Sequence, residues 1–332
     1  MRNKRNIVLV DFDCPADWKF IDGLVEGSGE NWEVRKLVSN MNHSGRFQNF
    51  IRYCKYFYLP FTIFLRRNSY AKVIAWQQFF GLILAFYCRL FRVKYVPDIY
   101  VMTFIYNRRS SKLGKFYESF VRYCLGYKGI KRVFVYSESE PEYYSSLFGL
   151  NKSLFKSIEL GIDDVSESFV ISDNGRYLTA GRSNRDYDFL LDKWNKDKQL
   201  DVVCDTLNKA DRDNIRFYTN VRDDAYFRML SECHLVVISL RDENVSSGQL
   251  VILQAMMFKK PVICTFNSTV SNYIDSGING LIIDKSEEAL REALETAEIN
   301  YELFAENGRA KFERKYSVFQ TGISVGKTVK GE

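Results

Sequence analysis

The chain has 332 residues, 46% of them apolar, with 47 basic and 41 acidic side chains and only five prolines. This excludes a disordered or low-complexity chain, and because a single core stops growing at about 250–300 residues it points to two domains. Charge is uneven: residues 1–150 carry 23 basic and 12 acidic groups and residues 151–332 carry 24 and 29, so an anionic partner is expected against the first half.

Seven cysteines without a Cys-x-x-Cys pair, and only two histidines, leave no basis for a disulfide scaffold or a zinc module and fit a reducing cytoplasm. The basic start is followed by an apolar run of only 7–10 before Asp11, so no signal peptide is read there. The longest apolar run, 79–88, has ten residues against the roughly 20 needed to span a bilayer, so no membrane-spanning segment is expected.

Apolar strand-like runs are predicted at 7–10, 32–38, 73–76, 100–104, 132–136 and 157–160, with helical patterns between most of them. A second series follows at 177–180, 201–204, 215–218, 235–240, 261–265 and 281–283. Strand and helix alternating this often imply α/β architecture, with two doubly wound, Rossmann-like parallel-sheet domains facing a cleft and ligands at the carboxyl ends of the strands. The polar stretch 163–176 coincides with the change of charge sign and marks the domain boundary.

The first strand ends in Asp11-Phe12-Asp13. An Asp-x-Asp pair after a strand resembles the nucleophile motif of Mg²⁺-dependent haloacid-dehalogenase-type phosphatases. Alternatively Asp13 caps the helix expected to begin near Ala16. Between Val34 and Ser137, 19 Lys or Arg face only Asp98 and Glu118, and the region is rich in aromatics. Within it, Phe47, Phe50, Ile51, Cys54, Phe57, Tyr58, Phe61 and Leu65 form an apolar stripe on a helix expected to kink at Pro60. Arg46, Arg52, Lys55, Arg66 and Arg67 punctuate this stripe. It suits packing on its own sheet, a membrane interface, or single-stranded nucleic acid.

In the second half, Gly181-Arg182-Ser183-Asn184-Arg185-Asp186 follows a strand and precedes a helix, and arginine forks match phosphate oxygens. A second loop, 241–249, ends in Ser246-Ser247-Gly248-Gln249 and opens a helix predicted at 250–258. Amides at such a helix start suit a phosphate or diphosphate, unless Ser246 or Ser247 simply caps the helix. His234, just before a strand, suits a structural position, and His43 is given no role.

The order Ser-Ser-Gly-Gln-Leu-Val-Ile-Leu-Gln-Ala-Met, Lys-Lys-Pro-Val-Ile, then Tyr-Ile-Asp-Ser-Gly-Ile-Asn-Gly-Leu resembles the donor domain of two-Rossmann-domain (GT-B) glycosyltransferases of the family 4 type, over about residues 175–285. The resemblance implies that Arg182 and Arg185 hold the donor diphosphate, that Ser247, Gly248 and Gln249 present amides to sugar or phosphate oxygens, and that Gln254 contacts the nucleotide ribose. Two glutamates usual in that family fall on Ser246 and Gln254, and its glycine-rich loop after the first strand is replaced by 11–15. Gln254 still offers a donor and an acceptor to ribose hydroxyls.

The implied organisation is an acceptor-binding, membrane-facing domain at 1–166 and a nucleotide-sugar domain at 167–312. A terminal segment, 313–332, is expected to pack back on the first domain. The implied function is sugar transfer from a nucleotide-sugar, a co-substrate rather than a cofactor, to a lipid-linked glycan in surface polysaccharide assembly. It would need no metal, with Asp13 as base and Gly181, Arg182, Arg185, Ser246 and Gln254 at the donor. Arg52, Lys55, Arg66 and Arg67 would face an anionic membrane from the cytoplasm, with no nucleic acid as partner. A phosphatase using Asp11 and Asp13, or a basic nucleic-acid-binding protein, are the alternatives.

Overall fold

Runs rich in Val and Ile favour the pleated backbone because β-branched side chains pack well on a sheet. In the computed structural model, which describes residues 4–38, 46–106, 111–207, 209–243 and 247–331 (backbone only at 46–50 and 223), they form twelve strands in two parallel sheets of six. The first sheet contains β1 (Arg5–Val10), β2 (Trp32–Lys36), β3 (Tyr70–Ala75), β4 (Asp98–Val101), β5 (Ile130–Val135) and β6 (Phe155–Ser157). The sixth lies slightly earlier than the predicted 157–160. Between the strands run α1 (Lys19–Ser28), α2 (Arg46–Leu65, continuous through Pro60), α3 (Gln78–Leu90), α4 (Lys112–Leu125) and α5 (Glu140–Phe148).

The sheet order is β2-β1-β3-β4-β5-β6. The chain steps one way from β1 to β2 and the other way thereafter, so right-handed crossovers place α1 on one face and α2 to α5 on the other. Alternation along β1 serves both: Ile7 and Leu9 enter the core with Tyr56, Leu59, Phe80 and Val121, whereas Val8 and Val10 join Phe20, Leu24 and Val325.

The second sheet contains β7 (Arg176–Ala180), β8 (Gln199–Val203), β9 (Ile215–Tyr218), β10 (Val236–Ile238), β11 (Val262–Thr265) and β12 (Leu281–Ile283). Its helices are α6 (Tyr187–Asp192), α7 (Asp223–Glu232), α8 (Gln249–Met257), α9 (Glu287–Ile299) and α10 (Tyr301–Lys311). The order β12-β11-β10-β7-β8-β9 is that of a dinucleotide-binding sheet, reversing direction between β7 and β10. At the amino end of this sheet, His234 contacts Asp173 through Nδ1 at 2.7 Å and Glu298 through Nε2 at 2.9 Å, a structural position. Burial would raise the Glu298 carboxyl, but Lys198, Tyr177 and His234 outweigh it and hold it down at about 2.

The chain divides into two compact units, 1–161 with 318–332, and 162–317. These dividing points differ from the expected 166/167 and 312/313. The reason lies in the polar stretch itself: the Ile162 amide donates to the Tyr316 carbonyl at 2.9 Å, and Asp164 pairs with Arg309 at 2.6 Å, so residues from 162 onward are bonded into the second unit.

The last helix, α11 (Val318–Lys330), belongs to the first unit and lies against α1. Gly23 and Gly27 on α1 meet Gly322 and Gly326 on α11, each pair one helical turn apart. A Cβ on Gly326 would stand 2.7 Å from both the Leu24 carbonyl oxygen and the Ser28 amide, and one on Gly23 would overlap the Phe319 carbonyl oxygen. Only residues without a side chain let two backbones approach this closely. Gly326→Ala is therefore expected to destabilise the first unit by about 1–3 kcal/mol through overpacking, whereas Ser324→Ala on the same helix leaves it near wild type. Equal denaturant midpoints for Gly326→Ala and wild type would show that the crossing tolerates a side chain.

Candidate functional site

Where strand order reverses in a doubly wound sheet, loops leaving adjacent strands turn to opposite faces and open a crevice at the carboxyl ends. In the second unit that place lies between β7 and β10, so the loop 181–186 and the described residues 241–243 and 247–248 border it. They belong to the two strand-end loops that the sequence marks as suited to phosphate.

Gly181 leaves β7 with φ 107°, and a Cβ there would stand 2.6 Å from Arg185 Nη2. The Arg185 guanidinium folds back beneath its own loop, donating from Nε to the Ala180 carbonyl and from Nη1 to the Ser183 carbonyl, both at 2.9 Å. Burial pushes its pKa down. Two of its donors thus hold loop backbone. Arg182 is exposed and makes no side-chain hydrogen bond or ion pair among the described residues. Its charge is available to a ligand.

Asn184 joins the two loops. It takes φ 56°, a left-handed conformation that asparagine tolerates better than most residues. Its Nδ2 donates to the Asp242 carbonyl and to Ser247 Oγ, and its Oδ1 accepts from the Asp242 amide, all at 2.9 Å. Ser247 Oγ is therefore engaged by the neighbouring loop. The N-cap of α8 is instead Gly248, at φ 90°, which has no side chain with which to cap. Ser246 lies outside the described residues, as does His43.

Gln254, 9% exposed on α8, accepts from the Tyr226 hydroxyl at 3.3 Å. Burial pushes the Tyr226 pKa up, so this hydroxyl remains a neutral donor. Gly181, Arg182, Asp205, Tyr226, Leu250 and Gln254 line a pocket of about 320 Å³, within the size range of small-ligand sites. Of the sequence-derived residues, Gly181, Arg182 and Gln254 meet at this pocket, Ser247 to Gln249 form the start of the helix beside it, and Arg185 supports the loop. Asn184, Asp205 and Tyr226 were not anticipated. For Asn184 the signal was present, a turn-forming residue three places after a glycine. For the other two there was none, because they come from the end of β8 and the start of α7.

In the first unit Asp13 is exposed and pairs with Lys36 at 3.0 Å, a hydrogen bond that raises the Lys36 pKa. Asp11 Oδ2 instead accepts from the Tyr56 hydroxyl at 3.3 Å and Gln77 Nε2 at 3.5 Å. The two carboxylates engage different side chains. On α2, Lys55 donates to the Val38 carbonyl at 2.7 Å, and Arg67 donates to the Phe64 carbonyl at 3.1 Å while lying over the Phe64 ring. Arg52 is half-buried and Arg66 is exposed.

Among the described residues no group of His, Cys, Asp and Glu is placed to hold a metal ion, and no helix is long and apolar enough to cross a membrane. All seven cysteines are free. The stitching by Asn184 carries its own test: Asn184→Gly keeps the left-handed backbone but loses three hydrogen bonds, at about 0.5–1.5 kcal/mol each. Faster amide hydrogen exchange is expected in both 181–186 and 241–248, and unchanged exchange in the second loop would mean the two are not coupled.

Residues 177–298 match the family model described as glycosyl transferases group 1. No curated protein is matched in a sequence comparison. Among solved structures, the chain resembles HepE of Anabaena in complex with UDP and glucose, at 13% identity and TM-score 0.61, covering 99% of this chain and 100% of that one. Sucrose-phosphate synthase from Thermosynechococcus elongatus gives 13% identity and TM-score 0.65, covering 98% of each chain. The lipopolysaccharide outer core galactosyltransferase WaaB, in its apo form, gives 12% identity and TM-score 0.59, covering 98% of this chain and 99% of that one. At such identities the likeness is one of fold, and it runs the length of both sheets. The chain thus has the two-sheet GT-B fold, and its residues 177–298 match the group 1 glycosyl transferase family model.

Proposed function

We propose that the protein is a nucleotide-sugar-dependent glycosyltransferase that adds a sugar to a lipid-linked glycan during surface polysaccharide assembly, acting from the cytoplasm as a peripheral membrane protein. The observation that carries this reading is the pocket at the reversal point of the second sheet, where the unpaired charge of Arg182 and the start of α8 border one space. The HepE structure named above holds UDP and glucose, and WaaB is named as a galactosyltransferase of the lipopolysaccharide outer core, which supports a nucleotide-sugar donor and a glycan acceptor.

In this reading the bond between the anomeric carbon and the diphosphate breaks. Negative charge collects on the leaving diphosphate while the sugar carbon gains oxocarbenium character. Arg182 and the positive dipole end of α8 oppose that negative charge in place, so the reaction as proposed calls for no metal ion. Gln254 keeps its amide donors for a ribose hydroxyl while its carbonyl accepts from Tyr226. Arg185 shapes the loop that carries Arg182. Asp13, once released from Lys36, takes the proton from the acceptor hydroxyl. The basic, aromatic α2 region, with Arg52 and Arg66 among its cations, faces an anionic membrane.

A thermal-shift screen against nucleoside diphosphates and their sugars tests the donor side, since a ligand at a hundred times its dissociation constant adds about 2.7 kcal/mol. Arg182→Ala is expected to weaken nucleoside-diphosphate binding by roughly ten- to a hundredfold, the loss of one charge-assisted hydrogen bond. Calorimetry giving the same affinity for Arg182→Ala and wild type would remove this assignment. Asp13→Asn is expected to cut turnover strongly with donor affinity unchanged, and wild-type turnover in that variant would exclude it as the base.

A further inference from the structure

The two helical faces of the first sheet differ in how they meet water. Among the described residues of the first unit, the exposed large apolar side chains other than Val38 and Tyr143 lie on α2, α3 and α4, on Phe91 just after α3, or on Ile105 in the loop before α4. The opposite helices, α1 and α11, contribute none. The most exposed pair is Leu113 at 81% and Phe116 at 74%, both in the first turns of α4. A soluble surface rarely gathers such a patch without a partner.

The place of this pair in the fold is set by topology. Helices between parallel strands return antiparallel to them, so α4 begins at the carboxyl end of the first sheet, the end that carries Asp11 and Gln77. The surroundings are fixed: Gln78 at the start of α3 donates to the Ile105 carbonyl at 3.2 Å and accepts from the Ile105 amide at 3.1 Å. Rings of Tyr56, Phe79, Tyr117 and Tyr106 follow one another at 5.6, 6.4 and 5.7 Å and tie α2, α3 and the loop to α4. Leu113 and Phe116 therefore stand on a helix that packs into this ring cluster.

Charge selects the partner. The sequences of α2, α3 and α4 contain one acidic residue, Glu118, which accepts from the Tyr106 hydroxyl at 3.4 Å. Lys112 and Lys115, beside the apolar pair, are exposed and have no ion pair among the described residues. Cations ringing exposed Leu and Phe match a bilayer interface, where ammonium groups meet anionic headgroups and apolar side chains enter the acyl boundary.

We infer that the carboxyl-end rim of the first unit, with Leu113 and Phe116 as the inserted residues and Lys112 and Lys115 at the headgroups, docks on an anionic lipid bilayer. This rests on the membrane-facing reading above and sharpens it, because it orients the first sheet with its carboxyl end toward the lipid. An acceptor held in the membrane then arrives at the strand ends rather than at the opposite edge.

The test uses the full chain and vesicles of phosphatidylcholine with or without phosphatidylglycerol. Leu113→Ser with Phe116→Ser removes insertion and keeps all charges, and both sites are on the surface. Its affinity for anionic vesicles is expected to fall about tenfold or more. Phe116→Trp reports depth: Trp18, Trp32 and Trp194 are buried and Trp76 is half-buried, so quenching by brominated acyl chains beyond the wild-type level comes from position 116. Pelleting of the double Ser variant equal to wild type, or no added quenching in the Phe116→Trp variant, overturns the rim insertion. If Arg52, Lys55, Arg66 and Arg67 changed together to Glu release the protein while the double Ser variant still pellets, the membrane reading stands and the rim assignment fails. No pelleting of wild type removes both. Nucleoside-diphosphate calorimetry on the same variants reports the donor site separately.

Discussion

The close crossing of α1 and α11 is the constraint on which the first unit rests. Four glycines spaced one turn apart on two helices let backbone touch backbone, and the helices come from opposite ends of the chain. The first unit is therefore incomplete until the last residues are in place, and the whole second unit is carried as an insertion between its parts. Such a contact is costly to form, because a long stretch of chain must be closed before any packing is gained. It is hard to replace once formed, because any Cβ there meets main-chain atoms rather than a yielding side chain.

Sealing that face has a consequence for the other one. With α1 and α11 packed to leave no large apolar side chain exposed, the apolar excess of the first unit is displayed on α2, α3 and α4. The α2 residues that enter the core, Tyr56, Leu59, Ile63 and Phe64, lie off the stripe read from the sequence. The described residues of that stripe, Ile51, Cys54, Phe57, Tyr58, Phe61 and Leu65, remain in solvent beside basic residues. One helix thus serves both the fold and an outward surface.

The candidate site depends on sheet order more than on any single motif. Because β7 and β10 are neighbours although two strands lie between them in sequence, their loops are brought together, and Asn184 uses its hydrogen bonds to keep them so while Arg185 braces its own loop. With Arg185 bracing the loop, Arg182 is exposed and pairs with no side chain among the described residues. Division of labour between two arginines three residues apart is a matter of partners: one is bonded beneath the loop and the other lies exposed at the pocket.

Much of the fold was legible in the residues themselves. Runs of β-branched and aromatic side chains bounded by turn-formers give strands by local preference, and their alternation with amphipathic stretches requires parallel sheets, since parallel pairing needs a crossover each time. The loops at Gly181 and before α8 were legible for the same reason, small residues between a strand and a helix. What tertiary structure decided was side-chain direction and long-range partnership. The engagement of Asp13 by Lys36, the turning of Asp11 to Tyr56 and Gln77, and the meeting of Gln254 with Tyr226 all join residues from separate elements. The glycine pairs of α1 and α11 read, in sequence, as weak points in two helices; only their mutual approach makes them a backbone-to-backbone contact. Local chemistry determines which element a segment becomes, but the identity of its neighbour depends on the order in which strands assemble, and that order is a property of the folded chain.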